Sequence, residues 1–169
     1  MHHATACQQR LSLHPSLVPI VELSPAAGHT EEMDDAECRS RVESTPVGRL
    51  ATTRADGRTD LVPIVFALVD DELVFAVDHK PKRTPELQRL ANIGVNPEVC
   101  ALFDHYDDDW ASLWWVRMRG RAVVVAGGPD ADRALDALQA RHPQYAGRRP
   151  RGPVVWITPT EWTGWAASP

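Results

Sequence analysis

Two short stretches bring together residue types that can do chemistry. In Asp78-His79-Lys80-Pro81-Lys82-Arg83-Thr84, three cations and a hydroxyl follow a strand-like run and directly precede Pro85-Glu86, a helix start. Cations beside the unpaired N–H groups of a helix's first turn suit a phosphate, although a solvated basic loop has the same composition. The second stretch runs from Asp104 to Arg117 and holds Trp110, Trp114 and Trp115, half of the chain's six tryptophans. Adjacent Trp114 and Trp115 on a strand must point to opposite faces, so one can fill the core while the other meets a pocket or a partner chain. His105 with Asp107, Asp108 and Asp109 is a single imidazole among carboxylates and fixes no coordination geometry; an exposed acidic turn, and no metal, is expected. Arg148, Arg149 and Arg151 make a second basic loop, either solvated or facing the anionic tail of a ligand.

Other chemistries lack their residues. Ser44 and Ser112 sit in no nucleophile elbow, and neither a glycine-rich dinucleotide fingerprint nor a P-loop occurs. Cys7, Cys38 and Cys100 are too scattered for a disulfide framework or a zinc site, so a reducing, cytoplasmic setting is expected. The net charge is −5; residues 1–46 hold seven acids against three arginines and carry −4 of it, which leaves the remainder near neutral. Such a surface does not suit a nucleic-acid backbone. No stretch approaches the roughly 20 apolar residues of a membrane span, and a soluble chain without membrane contact is expected.

The elements that must position these stretches read as mainly β. Residues 1–30 show no sustained period and read as a flexible N-terminal extension, with one domain over residues 31–169. Thr30 reads as a helix N-cap, with Glu31, Glu32, Asp34 and Asp35 at the positive end of the dipole and Pro46 as the limit. Arg49–Thr53, the turn Ala55-Asp56-Gly57 and Thr59–Val69, interrupted at Pro63, form a hairpin; Asp70-Asp71 turns into Glu72–Val77. A helix opened by Thr84-Pro85-Glu86 buries Leu87, Leu90, Ala91 and Ile93 and stops at Gly94. Two strands follow, Val99–Tyr106 and Leu113–Val125. A helix from Pro129 then buries Ala131, Ala134, Leu135 and Leu138, and a final strand Val154–Thr158 continues toward Trp162. Hairpin-linked strands with small inserted helices point to an antiparallel barrel.

The ordered set Val47–Arg58, Leu61–Leu68, Ala76–Arg83, Asn92-Ile93, Asn96-Pro97, Asp104–Trp110 and Leu113–Arg117 resembles the pyridoxamine 5′-phosphate oxidase-like, coenzyme F420-dependent proteins of actinobacteria over roughly residues 40–165. The resemblance implies a split β-barrel working as a homodimer, with a cofactor site at the subunit interface. It places the cofactor phosphate on Lys80, Lys82 and Arg83, with Thr84 as hydroxyl donor. It lays the ring along Val62, Pro63 and Ile64 and along Ala76, Val77 and Asp78, flanked by Trp110, Trp114 or Trp115. Coenzyme F420 is the expected cofactor and FMN the alternative. The implied reaction is hydride transfer between the reduced deazaflavin and a small organic acceptor, with no side chain as nucleophile. A non-catalytic flavin-, F420- or haem-binding barrel, or an FMN-dependent pyridoxamine phosphate oxidase-like enzyme, are the other readings.

Overall fold

Short β-branched runs separated by turn residues cannot bury two faces alone, and here they join one antiparallel sheet that curls on itself. The computed structural model describes residues 31–77 and 88–167; the expected N-terminal extension, the segment Asp78–Thr84 and, of the expected second helix, Pro85, Glu86 and Leu87 lie outside the described residues. In chain order come β1 (Glu31–Glu32), α1 (Asp35–Ser44), β2 (Val47–Thr53), β3 (Thr59–Val65), β4 (Ala67–Val69), β5 (Glu72–Ala76), α2 (Gln88–Val95), β6 (Glu98–His105), β7 (Trp114–Val125), α3 (Pro129–Arg141) and β8 (Val154–Ala166). The strand order is β3-β2-β6-β7-β8-β5-β4, with β1 added on β8, and every pairing is antiparallel. Strands β3 and β4 are neighbours in sequence yet lie at opposite ends of this order, so the sheet must bend far enough for its ends to approach. The hairpin succession predicts a barrel; the sheet forms a curled antiparallel half-barrel, with β3 and β4 at its ends and not paired to each other.

Several local features differ from the sequence reading. The chain breaks at Phe66 rather than at Pro63. Pro63 sits opposite Arg49 on β3, an end strand paired only with β2, where a missing N–H on the free side costs no ladder bond. Phe66, fully buried, is where the chain leaves one end of the sheet for the other. The first helix starts at Asp35, not at Thr30: the Asp34 carboxylate accepts the Glu37 N–H at 2.8 Å, and Glu31-Glu32 pair with Ala166 and Trp165 instead. In α2, Ala91 is exposed and Asn92 takes its place in the interior, while the helix runs past Gly94 to Val95. The last strand extends to Ala166.

Other expectations hold. Asp70 and Asp71 form the two-residue β4–β5 turn with φ of 50° and 54°, the left-handed pair that tight hairpins need and that short acidic side chains tolerate. Helix α3 buries Ala131, Ala134, Leu135 and Leu138 as its period requires. The bulge between Arg119 and Gly120 lets β7 stay paired to β8; a Cβ at residue 120 would stand 2.6 Å from the Thr158 carbonyl, so the position demands glycine.

Two apolar clusters follow from the curl. Inside it, Leu50, Phe66, Phe75, Phe103, Val116 and Met118 meet Cys38 and Val42 of α1, with Phe66 and Phe103 edge to face at 4.9 Å between centroids. Outside it, α3 covers Ala67, Val74, Ala76, Val154 and Trp156. Hence β5 is buried on both faces over most of its length.

Candidate functional site

Strand β3 is the natural starting point because it leaves one edge unpaired among the described strands. Along it, Ile64 is 5% exposed and belongs to the core, Val62 is half-buried against that core, and Pro63 looks outward. A planar ligand beside β3 would therefore meet backbone groups and Pro63 rather than the Ile64 side chain. Continuing across the outer face, register aligns Leu61, Ala51, Cys100, Arg119 and Glu161 in one row and Pro63, Arg49, Leu102 and Arg117 in the next. Leu61 is 64% exposed and Leu102 37%. A shallow hollow in this face is lined by Ala51, Thr53, Cys100, Arg119 and Glu161. Burial pushes the Cys100 thiol up, against the opposing pull of Arg117 and Arg119.

The tryptophans separate as strand alternation requires. Trp114 is 8% exposed and packs in the core beneath the Arg41 guanidinium, 5.6 Å from its ring centroid. Trp115 is half-buried on the outer face between Asp104 and Trp165. Trp110, 78% exposed, opens the short 3-10 turn before β7, where the Asp109 carboxylate accepts the Ala111 N–H at 3.1 Å. His105 Nε2 stands 3.9 Å from Asp107, and among the described residues no three His, Cys, Asp or Glu side chains gather as a metal site would need.

The anchoring residues expected for a phosphate, Lys80, Lys82, Arg83 and Thr84, lie outside the described residues, as does Asp78. Their approach is described. Val77, half-buried, donates its N–H to the Pro153 carbonyl at 3.1 Å, and a Cβ on Gly152 would stand 2.8 Å from the Val77 Cβ and carbonyl oxygen. Only a glycine lets the chain after α3 press against the end of β5. The second basic loop thus ends where the first basic segment begins. Within that loop Arg149 is fixed to α3, bonded to the Asp136 carboxylate and, at 3.1 Å, to the Asp132 carbonyl.

A polar cluster that the sequence reading does not single out joins α2 to the β2–β3 hairpin. The Asn92 amide, 2% exposed, donates to the Thr52 hydroxyl and to Asp60, each at 2.9 Å, and accepts from Gln88 at 2.8 Å. Arg54 clamps Asp60 through two bonds of 2.6 and 2.7 Å. The Arg54 guanidinium, and then the Asn92 amide, hold the Asp60 carboxyl below the usual carboxylate range. The sequence signal was present but faint: Thr52 and Asp60 fall opposite each other once the hairpin register is set, and an asparagine stands where α2 turns inward. Through Gln88 and Asn92 this cluster fixes the first turn of α2 to the β2–β3 hairpin.

Among the described residues no helix is long and apolar enough to cross a membrane. No curated protein matches the chain. Solved structures do. A conserved hypothetical protein of Mycobacterium tuberculosis is 23% identical, with a TM-score of 0.66 over 80% of this chain and 86% of that one. An FAD-binding protein of Mesorhizobium loti is 20% identical, with a TM-score of 0.65 over 83% and 99%. The haem storage protein of Vibrio cholerae is 13% identical, with a TM-score of 0.63 over 79% and 96%. At these identities the likeness is one of fold, and it agrees with the curled antiparallel sheet described above. The sequence profile described as pyridoxamine 5′-phosphate oxidase matches residues 34–166, from the α1 cap to the end of β8, and the chain therefore belongs to the pyridoxamine 5′-phosphate oxidase family.

Proposed function

We propose that this chain is a homodimeric oxidoreductase that binds coenzyme F420, with FMN as the alternative, between the free edge of β3 and a second copy. The observation that supports this best is the uncovered outer face beside that edge: Leu61 and Leu102 are exposed, Pro63 looks outward and Trp115 is half-covered, while the inner face of the same strands is filled. A face on which exposed leucines and a half-covered tryptophan alternate with arginines, next to an unpaired strand edge, suits a second subunit and a flat, amphipathic ring. Bound there, the deazaflavin would supply a hydride to a small organic acceptor.

The chain's own residues would bind, orient and exclude water. By the family resemblance Lys80, Lys82, Arg83 and Thr84 hold the phosphate, and Val77 and Asp78 with the Val62–Ile64 backbone flank the ring. Trp110 and Trp115 are placed outside the core and can reach a ligand or a partner, whereas Trp114 is committed to packing. The fold of the Mesorhizobium FAD-binding protein and of the Vibrio haem storage protein supports a second reading, a barrel that only binds its ligand.

Mixing the protein with reduced F420 and a panel of quinones, nitro compounds and tetrapyrroles separates the two. Coenzyme reoxidation above the uncatalysed rate is expected with at least one acceptor. Tight binding with no turnover on any of them would overturn the enzyme reading in favour of the binding one. Light scattering at micromolar concentration should give twice 18.7 kDa; a monomer would remove the shared site.

A further inference from the structure

We infer that the loop between α3 and β8 forms a binding site for an oligoanionic group, the carboxylates or phosphates at the far end of the bound cofactor. Leu135, Gly147, Arg148, Arg149, Pro150 and Arg151 line one hollow. Its floor is set: Arg149 is tied to Asp136 and Asp132 of α3, and Pro150 is buried. Its walls carry unspent charge. Among the described residues every arginine except Arg148 and Arg151 faces a carboxylate, a backbone carbonyl or another partner. In a protein of net charge −5, the two unmatched guanidinium groups stand three residues apart on the same hollow, both exposed.

Acidic partners are not scarce nearby. Asp132 and Asp136 lie on the adjoining helix, yet both are engaged with Arg149. Two forked donors left open on either side of the anchored Arg149 and Pro150 match a ligand with two or more acidic groups better than a single ion. Arg151 of the hollow is followed by Gly152, which presses on Val77, the last described residue before Lys80, Lys82 and Arg83 in the chain. On the proposed function, with the cofactor phosphate held by Lys80, Lys82 and Arg83, the acidic tail is the part of the ligand left for Arg148 and Arg151. This assignment of the anion's source rests on the proposed function; the anion site itself rests only on the hollow.

The test uses the full-length protein and the double variant Arg148→Gln/Arg151→Gln, with Arg148→Lys/Arg151→Lys as charge-preserving control. Each is titrated with F420 carrying its glutamates, with F420 from which the glutamates have been removed, and with two free probes, tetraglutamate and inorganic pyrophosphate. The loop's backbone amide signals report the free probes. In the wild type the glutamylated coenzyme should bind about tenfold more tightly than the trimmed one, and the glutamine variant should close that gap while leaving the trimmed form unaffected. Both free probes should move the loop amides in the wild type and the lysine control but not in the glutamine variant. Equal losses for both coenzyme forms, or an unchanged gap, would overturn the cofactor-tail assignment. Loop amides unmoved by either probe at millimolar concentration would overturn the anion site. If neither coenzyme form binds, the proposed function fails, and the free-probe titration still decides the hollow.

Discussion

Replacing Asn92 by alanine tests whether the polar cluster under α2 holds that helix to the sheet. The Asn92 side chain is 2% exposed and makes three hydrogen bonds, one of them to Thr52, itself 1% exposed. Truncation leaves the Thr52 hydroxyl without its donor in a place water does not reach, a loss of about 1–3 kcal/mol. The missing amide opens a cavity of a few tens of Å³, adding about 1 kcal/mol. The expected destabilisation is therefore about 2–4 kcal/mol, which for a chain of this size lowers Tm by roughly 5–15 °C. Urea unfolding followed by tryptophan fluorescence, to which the buried Trp114 and Trp156 contribute, measures it, with an unchanged denaturant slope showing that the same cooperative unit unfolds. The variant Asn92→Asp sharpens the test, because it sets a second carboxylate against Asp60. Near neutrality the two repel, whereas at about pH 5 they can share a proton, so this variant should regain stability relative to Asn92→Ala as pH falls. A cost below about 1 kcal/mol for the alanine variant, or no pH dependence in the aspartate variant, would refute the reasoning.

Three further outcomes follow from the same structure. Asp60 is held below the ordinary carboxylate range in the folded chain, so its contribution is present above the unfolded value near 4 and is lost as pH falls through the lower folded value; Arg54→Ala should flatten that acid limb in urea midpoints compared between pH 7 and pH 3. Leu138→Ala, at a fully buried position of α3, should cost about 2–5 kcal/mol by thermal denaturation, with the outer β2–β3 face unaffected in hydrogen exchange. Lys82→Ala and Arg83→Ala should each weaken F420 binding by about 1.5–3 kcal/mol in calorimetric titration without lowering the Tm of the free protein, and normal binding by both would move the phosphate elsewhere.

Local chemistry was enough for most elements. The Asp70-Asp71 turn, the α3 stripe and the alternation that separates Trp114 from Trp115 depend on residues within one turn or one strand, and all three stand where their spacing puts them. The start of α1 was misplaced because acids from Glu31 to Asp35 all suit a helix N-terminus, and only the partner decides among them. The rim of β8 takes Glu31 and Glu32, so the cap falls to Asp34. The role of Asn92 is faint in the sequence for the same reason. A polar residue on the inner side of a short helix looks like an error in the pattern until Thr52 and Asp60, forty and thirty-two residues earlier in the chain, are brought beside it.

The break at Phe66 shows most clearly why the curl of the sheet is not readable from the strand itself. Thr59–Val69 reads as one β run whose weakest point is Pro63, yet the proline is harmless on an unpaired edge and the chain turns three residues later. What holds the turn comes from the end of α3. His142 Nε2 lies 2.7 Å from the Phe66 carbonyl oxygen, which can only accept, so this nitrogen carries the proton and donates. Arg141 lies over the Phe66 ring at 4.6 Å and donates to the carbonyls of Val42, Glu43 and Thr45 at the end of α1. One dipeptide thus ties the crossing point of the sheet to the C-terminus of the first helix, whose last carbonyls have no partner within the helix. Burial pushes the Arg141 guanidinium down, but a group that starts so basic stays charged, and three carbonyl dipoles with the ring face offset its lost hydration. The edge of β3 stays free because at Phe66 the chain turns from pairing with β2 to pairing, as β4, with β5, so the edge on which the proposed cofactor site depends goes with the turn that this anchor holds.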